Sequence, residues 1–198
     1  MTTIIGLTGG IGAGKSMISN QFKKLNVPVI DSDDITKNII NNNVDILKMI
    51  KEYFGNIVFN TNNILNKKKI KKIIFNDYNK KIWLENLIHP IVKKEIQYQF
   101  SITKTKYIIW VSPLLFENNL QNLTNYVITI NTTPEKQIKR VILRDHITSK
   151  EVKKILSNQC ESYERLRKSD YIIHNFYEFH KVKIDILKLH EYYSQSNN

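Results

Sequence analysis

The amino-acid sequence predicts a three-layer α/β fold in which a five-stranded parallel sheet is flanked by helices. Five short, apolar segments are separated by stretches with helical spacing of apolar residues, and this alternation is typical of parallel strands joined by right-handed crossovers. The segment at residues 107–111 (YIIWV) is apolar without alternation, which favours a strand covered on both faces. A glycine-rich loop between the first strand and the first helix narrows the fold class further.

This loop, residues 9–16, reads GGIGAGKS and matches the phosphate-binding pattern G-x-x-x-x-G-K-[ST]. A β-branched apolar strand, residues 3–8, precedes it. A helix is predicted after it, because Ile18, Phe22 and Leu25 recur at helical intervals. Strand, glycine loop and helix together distinguish a P-loop from a chance glycine-rich turn. The sequence therefore predicts a P-loop NTPase-type fold that binds a nucleoside triphosphate.

The chemistry of such a loop assigns roles to its last residues. Glycine tolerates positive φ and has no Cβ, so backbone N–H groups can surround phosphate oxygens. We expect Lys15 to reach the β- and γ-phosphates and the Ser16 hydroxyl to ligate Mg²⁺.

Carboxylates follow the second predicted strand, residues 28–30. Adjacent parallel strands end at the same sheet edge, where ligands bind in open α/β sheets, so Asp33 is our candidate general base for a hydroxyl nucleophile. The alternative is that Asp33 or Asp34 only caps the helix that begins near Ile35. Asp31 either orients water on Mg²⁺ or is structural, and the sequence leaves both open.

The middle of the chain is predicted to be helical. The expected elements are a helical region over about residues 35–54, a loop or weak strand over 57–65, a basic amphipathic helix over 67–75 and a longer helix over 79–100. Pro90 removes a helical donor and should kink or break the last helix. His89 then either hydrogen-bonds a substrate or caps the interrupted backbone.

Two further strands are expected in the second half, at residues 126–130 and 171–173, with a closing helix over 177–193. Pro134 fits the first position of a helix, and Thr148 with Glu151 matches a capping box that opens the next one. Arg140 and Arg144 are four residues apart, hence on one helical face. Their guanidinium groups are candidates to clamp a phosphoryl group or stack on a base, although surface arginines often do neither.

Composition limits the possible partners. The 198 residues fit one domain, and the single cysteine, Cys160, excludes an internal disulfide. The net charge of +12 admits nucleic-acid binding, but lysine, asparagine and isoleucine are over-used everywhere, which indicates compositional bias. No apolar run approaches the roughly 20 residues of a membrane span, and no leader precedes the first strand. We therefore expect a cytoplasmic protein without nucleic-acid or membrane partners.

Sequence details favour one class of P-loop protein over others. A GTPase is expected to carry N-K-x-D after a late strand, whereas residues 131–134 read NTTP. A motor is expected to end a strand in an acidic metal ligand, whereas the third strand ends in Ser112-Pro113. Short length, acids after the second strand, a helical insert and late arginines favour a small-metabolite kinase.

Taken together, these motifs resemble the dephospho-CoA kinase family. The matching segments are LTGGIGAGKS at 7–16, VIDSD at 29–33, LIHP at 87–90, PLLFE at 113–117, Q-x-x-R-x-x-x-R-D at 137–145, Gln159, Arg165-Leu166 and Asn175. They occur in family order along nearly the whole chain. The resemblance implies transfer of the ATP γ-phosphate, with Mg²⁺, to the ribose 3′-hydroxyl of dephospho-CoA, the last step of coenzyme A synthesis.

The resemblance also implies a set of site residues. Asp33, Lys15 and Arg140 would be catalytic, with Arg140 as a lid arginine, and Ser16 would bind the metal. The nucleotide contacts would be Gly10, Ile11, Gly12, Ala13, Gly14, Lys15, Ser16, Met17, Arg144 and Asn175. The acceptor contacts would be Asp33, His89, Leu115 and Glu117.

The implied organisation is one kinase domain, residues 1–198, with a core (about 1–60, 104–138 and 168–198), a helical substrate-binding region (about 61–103) and a lid (about 139–167). We expect small-molecule substrates and a monomer or weak homo-oligomer. Met17 departs from the family's usual threonine, Lys67 from an expected arginine and Phe176 from a frequent glycine. The alternatives are a nucleoside or nucleoside-monophosphate kinase, and an ATP-dependent nucleic-acid-binding protein.

Overall fold

The computed structural model describes residues 2–195, which form five strands and nine α-helices. The strands are β1 (Thr3–Thr8), β2 (Val29–Asp31), β3 (Tyr107–Val111), β4 (Tyr126–Asn131) and β5 (Tyr171–His174). The helices are α1 (Lys15–Lys24), α2 (Ser32–Asn42), α3 (Val44–Phe54), α4 (Lys67–Asn76), α5 (Tyr78–Ile102), α6 (Pro134–Asp145), α7 (Ser149–Ser157), α8 (Ser162–Arg167) and α9 (Phe179–Gln195).

The chain divides into two compact units. The first comprises the chain up to Asp31 and from Phe100 onward, and it contains the whole sheet. The second comprises Ser32–Gln99. The assignment of a substrate-binding region and a lid is a separate matter and stays a prediction.

All five strands are parallel, in the order β2-β3-β1-β4-β5. Asp31 lies opposite Val111, Val111 lies opposite Leu7, and Leu7 lies opposite Ile128. The carboxyl ends of four strands therefore share one edge of the sheet. The predicted five-stranded parallel sheet is confirmed, and the acids after β2 begin at the same level as the loop after β1.

One face of the sheet packs against α1 and α9. Alternate strand residues supply the contacts, as the period of two in a strand requires. The buried set consists of Ile5, Leu7, Tyr107, Ile109, Val111, Ile128, Ile130 and Ile173 from the sheet, with Ile18 and Phe22 from α1 and Val182, Ile186, Leu189 and Tyr193 from α9. Every residue of β3 is buried, which confirms a strand with both faces covered.

A tyrosine joins β3 to the last helix at one end of this core. The Tyr107 hydroxyl lies 2.7 Å from His190 Nδ1. Burial raises the pKa of Tyr107 well above its ordinary value, and the neighbouring Tyr193 adds to the shift. The phenol therefore stays neutral and keeps this hydrogen bond through the physiological pH range.

Within the second unit, an aromatic group joins α3 to α5. The rings of Tyr53 and Trp83 are stacked, with centroids 4.0 Å apart and an interplanar angle of 3°. Phe54 meets the edge of Trp83 with centroids 5.7 Å apart. Such aromatic pairs contribute stability beyond the area they bury.

The predicted helical region over residues 35–54 is confirmed, and it consists of two helices, because α2 ends at Asn42 and α3 begins at Val44. Asn43 is extended, and its side chain accepts a hydrogen bond from the Ile46 N–H at 3.1 Å. Asparagine competes with helical bonding in this way. Residues 57–65 hold a 3₁₀ turn, Asn56–Val58, and an isolated bridge between Phe59 and Leu65.

The break expected at Pro90 is absent, since α5 continues through it for 25 residues. Buried apolar residues lie on both sides of the proline, at Leu84, Ile88, Val92 and Ile96. Their burial outweighs the one hydrogen bond that proline removes. Among residues 2–195, no helix has the length and apolar character needed to cross a membrane.

The predicted helix starts in the second half are confirmed. Thr133 caps α6, accepting from the Lys136 N–H, and Pro134 occupies the first turn. Thr148 and Glu151 form the capping box of α7. Hydrogen bonds from the Thr148 backbone and hydroxyl lower the pKa of Glu151. The short helix α8 was not predicted from sequence.

A matched pair of substitutions on α9 tests the core. Ile186 is 1 % exposed and Ile184 is 46 % exposed on the same helix. Ile186→Ala should lower the free energy of unfolding by about 2–5 kcal/mol, because it leaves a cavity. Ile184→Ala should change it by about 0.5 kcal/mol or less. Equilibrium urea unfolding measures both, and equal losses would contradict the described packing of α9.

Candidate active site

The glycine loop ends where α1 begins, at Lys15. Gly14 precedes the helix in the left-handed conformation, with φ 106°, and makes no side-chain cap. The first N–H groups of a helix have no intrahelical partner, and they lie at the positive end of the helix dipole. The start of α1 is therefore suited to bind an anion, as the motif predicts.

Side chains bind the carbonyl oxygens of the loop on its outer side. Lys15 Nζ donates to the carbonyl of Gly9 at 2.7 Å and to that of Gly10 at 3.1 Å. The amide Nε2 of Gln137, on α6, donates to the Ile11 carbonyl at 2.8 Å. Three consecutive carbonyls thus have side-chain donors.

The next two carbonyls are bound in the same manner. Arg140 Nη1 donates to Gly12 at 3.2 Å and to Ala13 at 3.3 Å. Asn175 Nδ2 also donates to Ala13, at 2.6 Å. The C=O and N–H of a trans peptide point in opposite directions. Because Arg140 and Asn175 bind the Ala13 carbonyl, the N–H of Gly14 in the same peptide group points away from these two side chains.

Two glycines permit this close packing. Gly12 and Gly14 have φ of 73° and 106°, values that residues with a Cβ rarely adopt. A Cβ on Gly14 would overlap Nδ2 of Asn175. Glycine at position 14 therefore serves both the backbone turn and the approach of Asn175.

Asn175 follows β5 and is rigidly held. It is 5 % exposed. Its N–H donates to the Asn131 carbonyl at 2.7 Å, and its carbonyl accepts from the Thr132 hydroxyl at 3.1 Å and from Arg140 Nη2 at 3.3 Å. The ends of β4 and β5 thereby fix Asn175 and Arg140 against the loop.

The remaining residues expected around the nucleotide are less closely gathered. Ser16 is exposed in the first turn of α1, and Met17 packs against the core. Arg144 forms a two-pronged pair with the carboxylate of Asp145, with Nε–Oδ1 at 2.7 Å and Nη2–Oδ2 at 2.8 Å. Although Arg140 and Arg144 share a helix, only Arg140 has a described bond to the loop.

The residues expected on the acceptor side fall in both units. Leu115 is fully buried, and Glu117 Oε1 accepts from the Cys160 N–H at 2.8 Å. In the part of the chain that the structure describes, Glu117 Oε2 is buried and has no hydrogen-bond partner. Asp33 is exposed in the first turn of α2, and His89 is exposed on α5, both in the second unit. Because α5 is unbroken, capping a break does not explain His89.

Sequence reasoning attached no role to three residues that contact the loop region. Gln137 and Gln159 bind the two backbone groups of Ile11. Arg165 is 5 % exposed, and a Cβ on Gly10 would lie 3.5 Å from its Nη1. These residues were noticed only as matches to a family pattern, since contacts over 126 and 148 positions leave no local signal.

The charges around the loop suit an anionic ligand. Lys15 and Arg140 donate to loop carbonyls, and Arg165 Nη1 would lie 3.5 Å from a Cβ on Gly10. Arg165 Nη2 lies 3.7 Å from Glu117 Oε1, and its Nε is buried without a hydrogen-bond partner among residues 2–195. Within residues 2–195, no group of three or more His, Cys, Asp or Glu side chains is arranged to hold a metal. A cation here would need ligands from the anion as well.

The chain is similar in sequence to characterised kinases. Residues 3–180 match the family model for dephospho-CoA kinase. The chain is 40% identical to a dephospho-CoA kinase of Buchnera aphidicola subsp. Acyrthosiphon pisum, covering 98% of this chain and 89% of the relative. It is 37% identical to one from Pasteurella multocida, covering 100% and 98% of the two chains.

Solved structures agree with this similarity. A dephospho-CoA kinase from Campylobacter jejuni superposes with a TM-score of 0.75 at 28% identity, over 100% of both chains. A shikimate kinase from Acinetobacter baumannii gives a TM-score of 0.55 at 13% identity, covering 100% of this chain and 97% of the other. That second likeness shows the fold alone.

Two glycines with positive φ offer a test of the loop. Gly55 also has a positive φ, 76°, but a Cβ there meets nothing within 4 Å. Gly14→Ala should weaken ATP binding about fivefold to tenfold or more, because it displaces Asn175 from Ala13 and costs at least one hydrogen bond. Gly55→Ala should alter the ATP dissociation constant by about twofold or less.

Isothermal titration calorimetry measures both dissociation constants, and circular dichroism checks that each variant is folded. If the two variants bind ATP equally well, the contact between Gly14 and Asn175 has no part in the nucleotide site.

Proposed function

The chain belongs to the dephospho-CoA kinase family, and we infer that it transfers a phosphoryl group from ATP to dephospho-CoA. The observation that carries this inference is the loop whose carbonyls are bound by Lys15, Gln137, Arg140 and Asn175. That arrangement leaves the amides at the start of α1 for a triphosphate. The acceptor group is the ribose 3′-hydroxyl.

Lys15 and Arg140 neutralise the transferring phosphoryl group in this proposal. Both cations donate to loop carbonyls in the structure, so each lies against the loop that this proposal assigns to the phosphates. On nucleotide binding, Lys15 exchanges carbonyl oxygens for β- and γ-phosphate oxygens, and Arg140 turns toward the γ-phosphate. Phosphoryl transfer depends mainly on such positioning and charge stabilisation.

The residues present also fit Mg²⁺, which prefers oxygen ligands and retains water and phosphate ligands rather than an all-protein cage. The Ser16 hydroxyl, at the start of α1, would ligate it directly. Asp31, at the end of β2, would hold its water ligands. Bound Mg²⁺ neutralises phosphate charge.

Asp33 is the proposed general base. It lies in the first turn of α2, two residues beyond Asp31, and Asp31 shares the sheet level of Leu7 just before the loop. Asp33 accepts the proton of the 3′-hydroxyl as its oxygen bonds to the γ-phosphorus. The bond from that phosphorus to the β–γ bridging oxygen breaks, and ADP leaves.

The other site assignments complete this proposal. Gly10 to Met17 line the phosphates, with Arg144 and Asn175 on the nucleotide side. For Arg144, this requires release from Asp145. His89, Leu115 and Glu117 lie on the acceptor side, and Glu117 Oε2 offers an acceptor atom there.

The proposed organisation assigns acceptor binding to the helices of residues 61–103 and a closing movement to residues 139–167. Both follow the family pattern rather than a described contact. A cytoplasmic location, a monomeric or weakly associating chain and the lack of a nucleic-acid partner also remain predictions.

An ADP-formation assay tests the reaction. The purified chain with MgATP should form ADP only when dephospho-CoA is supplied. A panel of nucleosides and nucleoside monophosphates tests the alternative kinase activity, because turnover of any of these at a comparable rate would replace dephospho-CoA as the substrate. Stimulation of ATP hydrolysis by DNA or RNA would instead favour the nucleic-acid alternative.

Two neighbouring aspartates test the base. Asp33→Asn should lower kcat by about 10²- to 10⁴-fold, the usual contribution of a general base, and should leave the ATP dissociation constant nearly unchanged. Asp34→Asn is the matched control, since Asp34 is exposed and pairs with Lys37 at 2.8 Å. Near-normal turnover by Asp33→Asn would show that the base is another group.

A further inference from the structure

The backbone at Ile11 is bound on both sides by glutamine side chains. The Ile11 N–H donates to Oε1 of Gln159 at 2.9 Å, and the Ile11 carbonyl accepts from Nε2 of Gln137 at 2.8 Å. We call Gln137 and Gln159 the glutamine clamp. Because Gln159 already accepts the Ile11 N–H, that amide contributes to the shape of the loop and not to phosphate binding.

Gln137 lies directly against the loop. A Cβ on Gly10 would overlap its Nε2, and a Cβ on Gly12 would lie 2.7 Å from its backbone carbonyl oxygen. The phosphate-binding pattern leaves position 10 open to any residue. Packing of Gln137 therefore explains why this chain has glycine there.

Gln159 is itself fastened by a buried network. The next residue, Cys160, donates its N–H to Glu117 Oε1 at 2.8 Å and accepts from Arg165 Nη2 at 2.6 Å. The side chains of Arg165 and Glu117 are 6% and 17% exposed. Both peptide groups of Cys160 are thus tied to a buried ion pair, so the backbone that carries Gln159 is held in place.

We propose that Gln137 and Gln159 are positioning residues, which set the two peptide groups on either side of the Ile11 Cα so that the following loop amides point toward the triphosphate. Arg165 and Glu117 act through Cys160 to hold Gln159. The proposal rests on the proposed function for the identity of the nucleotide. Both glutamines lie between β4 and β5, so they join the phosphate loop to that part of the chain.

Methionine substitutions test the clamp, since methionine keeps side-chain length and removes the amide. Gln159→Met should increase hydrogen exchange at the Ile11 amide of the nucleotide-free chain about tenfold or more, because the amide loses its acceptor. Gln137→Met and Gln159→Met should each weaken ATP binding about fivefold to tenfold, the loss expected for one hydrogen bond.

The double variant should bind ATP more tightly than the product of the two single effects predicts, because both side chains hold the backbone of the same residue, Ile11. Gln195→Met is the control. Gln195 is exposed at the end of α9 and bonds only Glu191, at 3.3 Å, among its described contacts. It should leave Ile11 exchange and ATP affinity unchanged.

Further readouts separate positioning from general destabilisation. Gln159→Glu keeps an oxygen acceptor and should retain slow exchange at Ile11. The KM for dephospho-CoA should change by about twofold or less in the methionine variants, because the described side-chain hydrogen bonds of both glutamines go to the phosphate loop. The proposal is overturned if the Ile11 amide still exchanges slowly in Gln159→Met or exchanges fast in Gln159→Glu. It is also overturned if both methionine variants bind ATP as tightly as the unmodified chain.

If Gln159→Met does not fold, three other measurements test the proposal. They are the ATP affinity of Gln137→Met, its KM for dephospho-CoA, and hydrogen exchange at Ile11 in Gln159→Glu. Exchange and ATP binding are measured without dephospho-CoA. Failure of the proposed function appears separately, as missing acceptor-dependent ADP formation by the unmodified chain.

Discussion

The phosphate loop depends on hydrogen bonds to its carbonyl oxygens. Five consecutive carbonyls, from Gly9 to Ala13, accept from the side chains of Lys15, Gln137, Arg140 and Asn175. A glycine-rich loop has little preference for one conformation, so these side-chain donors, three of which lie outside the loop, determine its shape. The first unit makes these hydrogen bonds possible, because β1, β4, β5 and α6 bring the donors and the loop to one edge of the sheet.

Much of the fold could be predicted because strand signals are local. Unalternated apolar runs such as Tyr107–Val111 and the caps at Thr133 and Thr148 all appear in the structure. Two features escaped prediction for physical reasons. The helical region over residues 35–54 is divided at Asn43, whose side chain accepts from the Ile46 N–H, and α5 continues through Pro90 because its buried apolar residues lie on both sides of the proline. The division at Asn43 depends on one side-chain hydrogen bond. The continuity of α5 depends on tertiary packing, which the spacing of apolar residues does not reveal.

The site was predictable only to the extent that its residues share a motif. Gly9, Gly14 and Lys15 follow from the loop pattern, and the structure places them together. The glutamine clamp spans more than a hundred positions, so no window of sequence reveals it. Helical spacing predicts that Arg140 and Arg144 lie on one face, but it does not predict that the adjacent Asp145 binds Arg144. Asp33 and His89 keep their assigned roles as predictions.

The order of the chain has a consequence for its synthesis. The loop leaves the ribosome well before Asn175, which donates to the Ala13 carbonyl from 162 positions later. The strands that flank β1 are also late, since β3 and β4 follow residue 106. Domains generally fold as units during translation. A nascent or truncated chain that lacks the last quarter therefore carries the whole glycine motif without a formed nucleotide site.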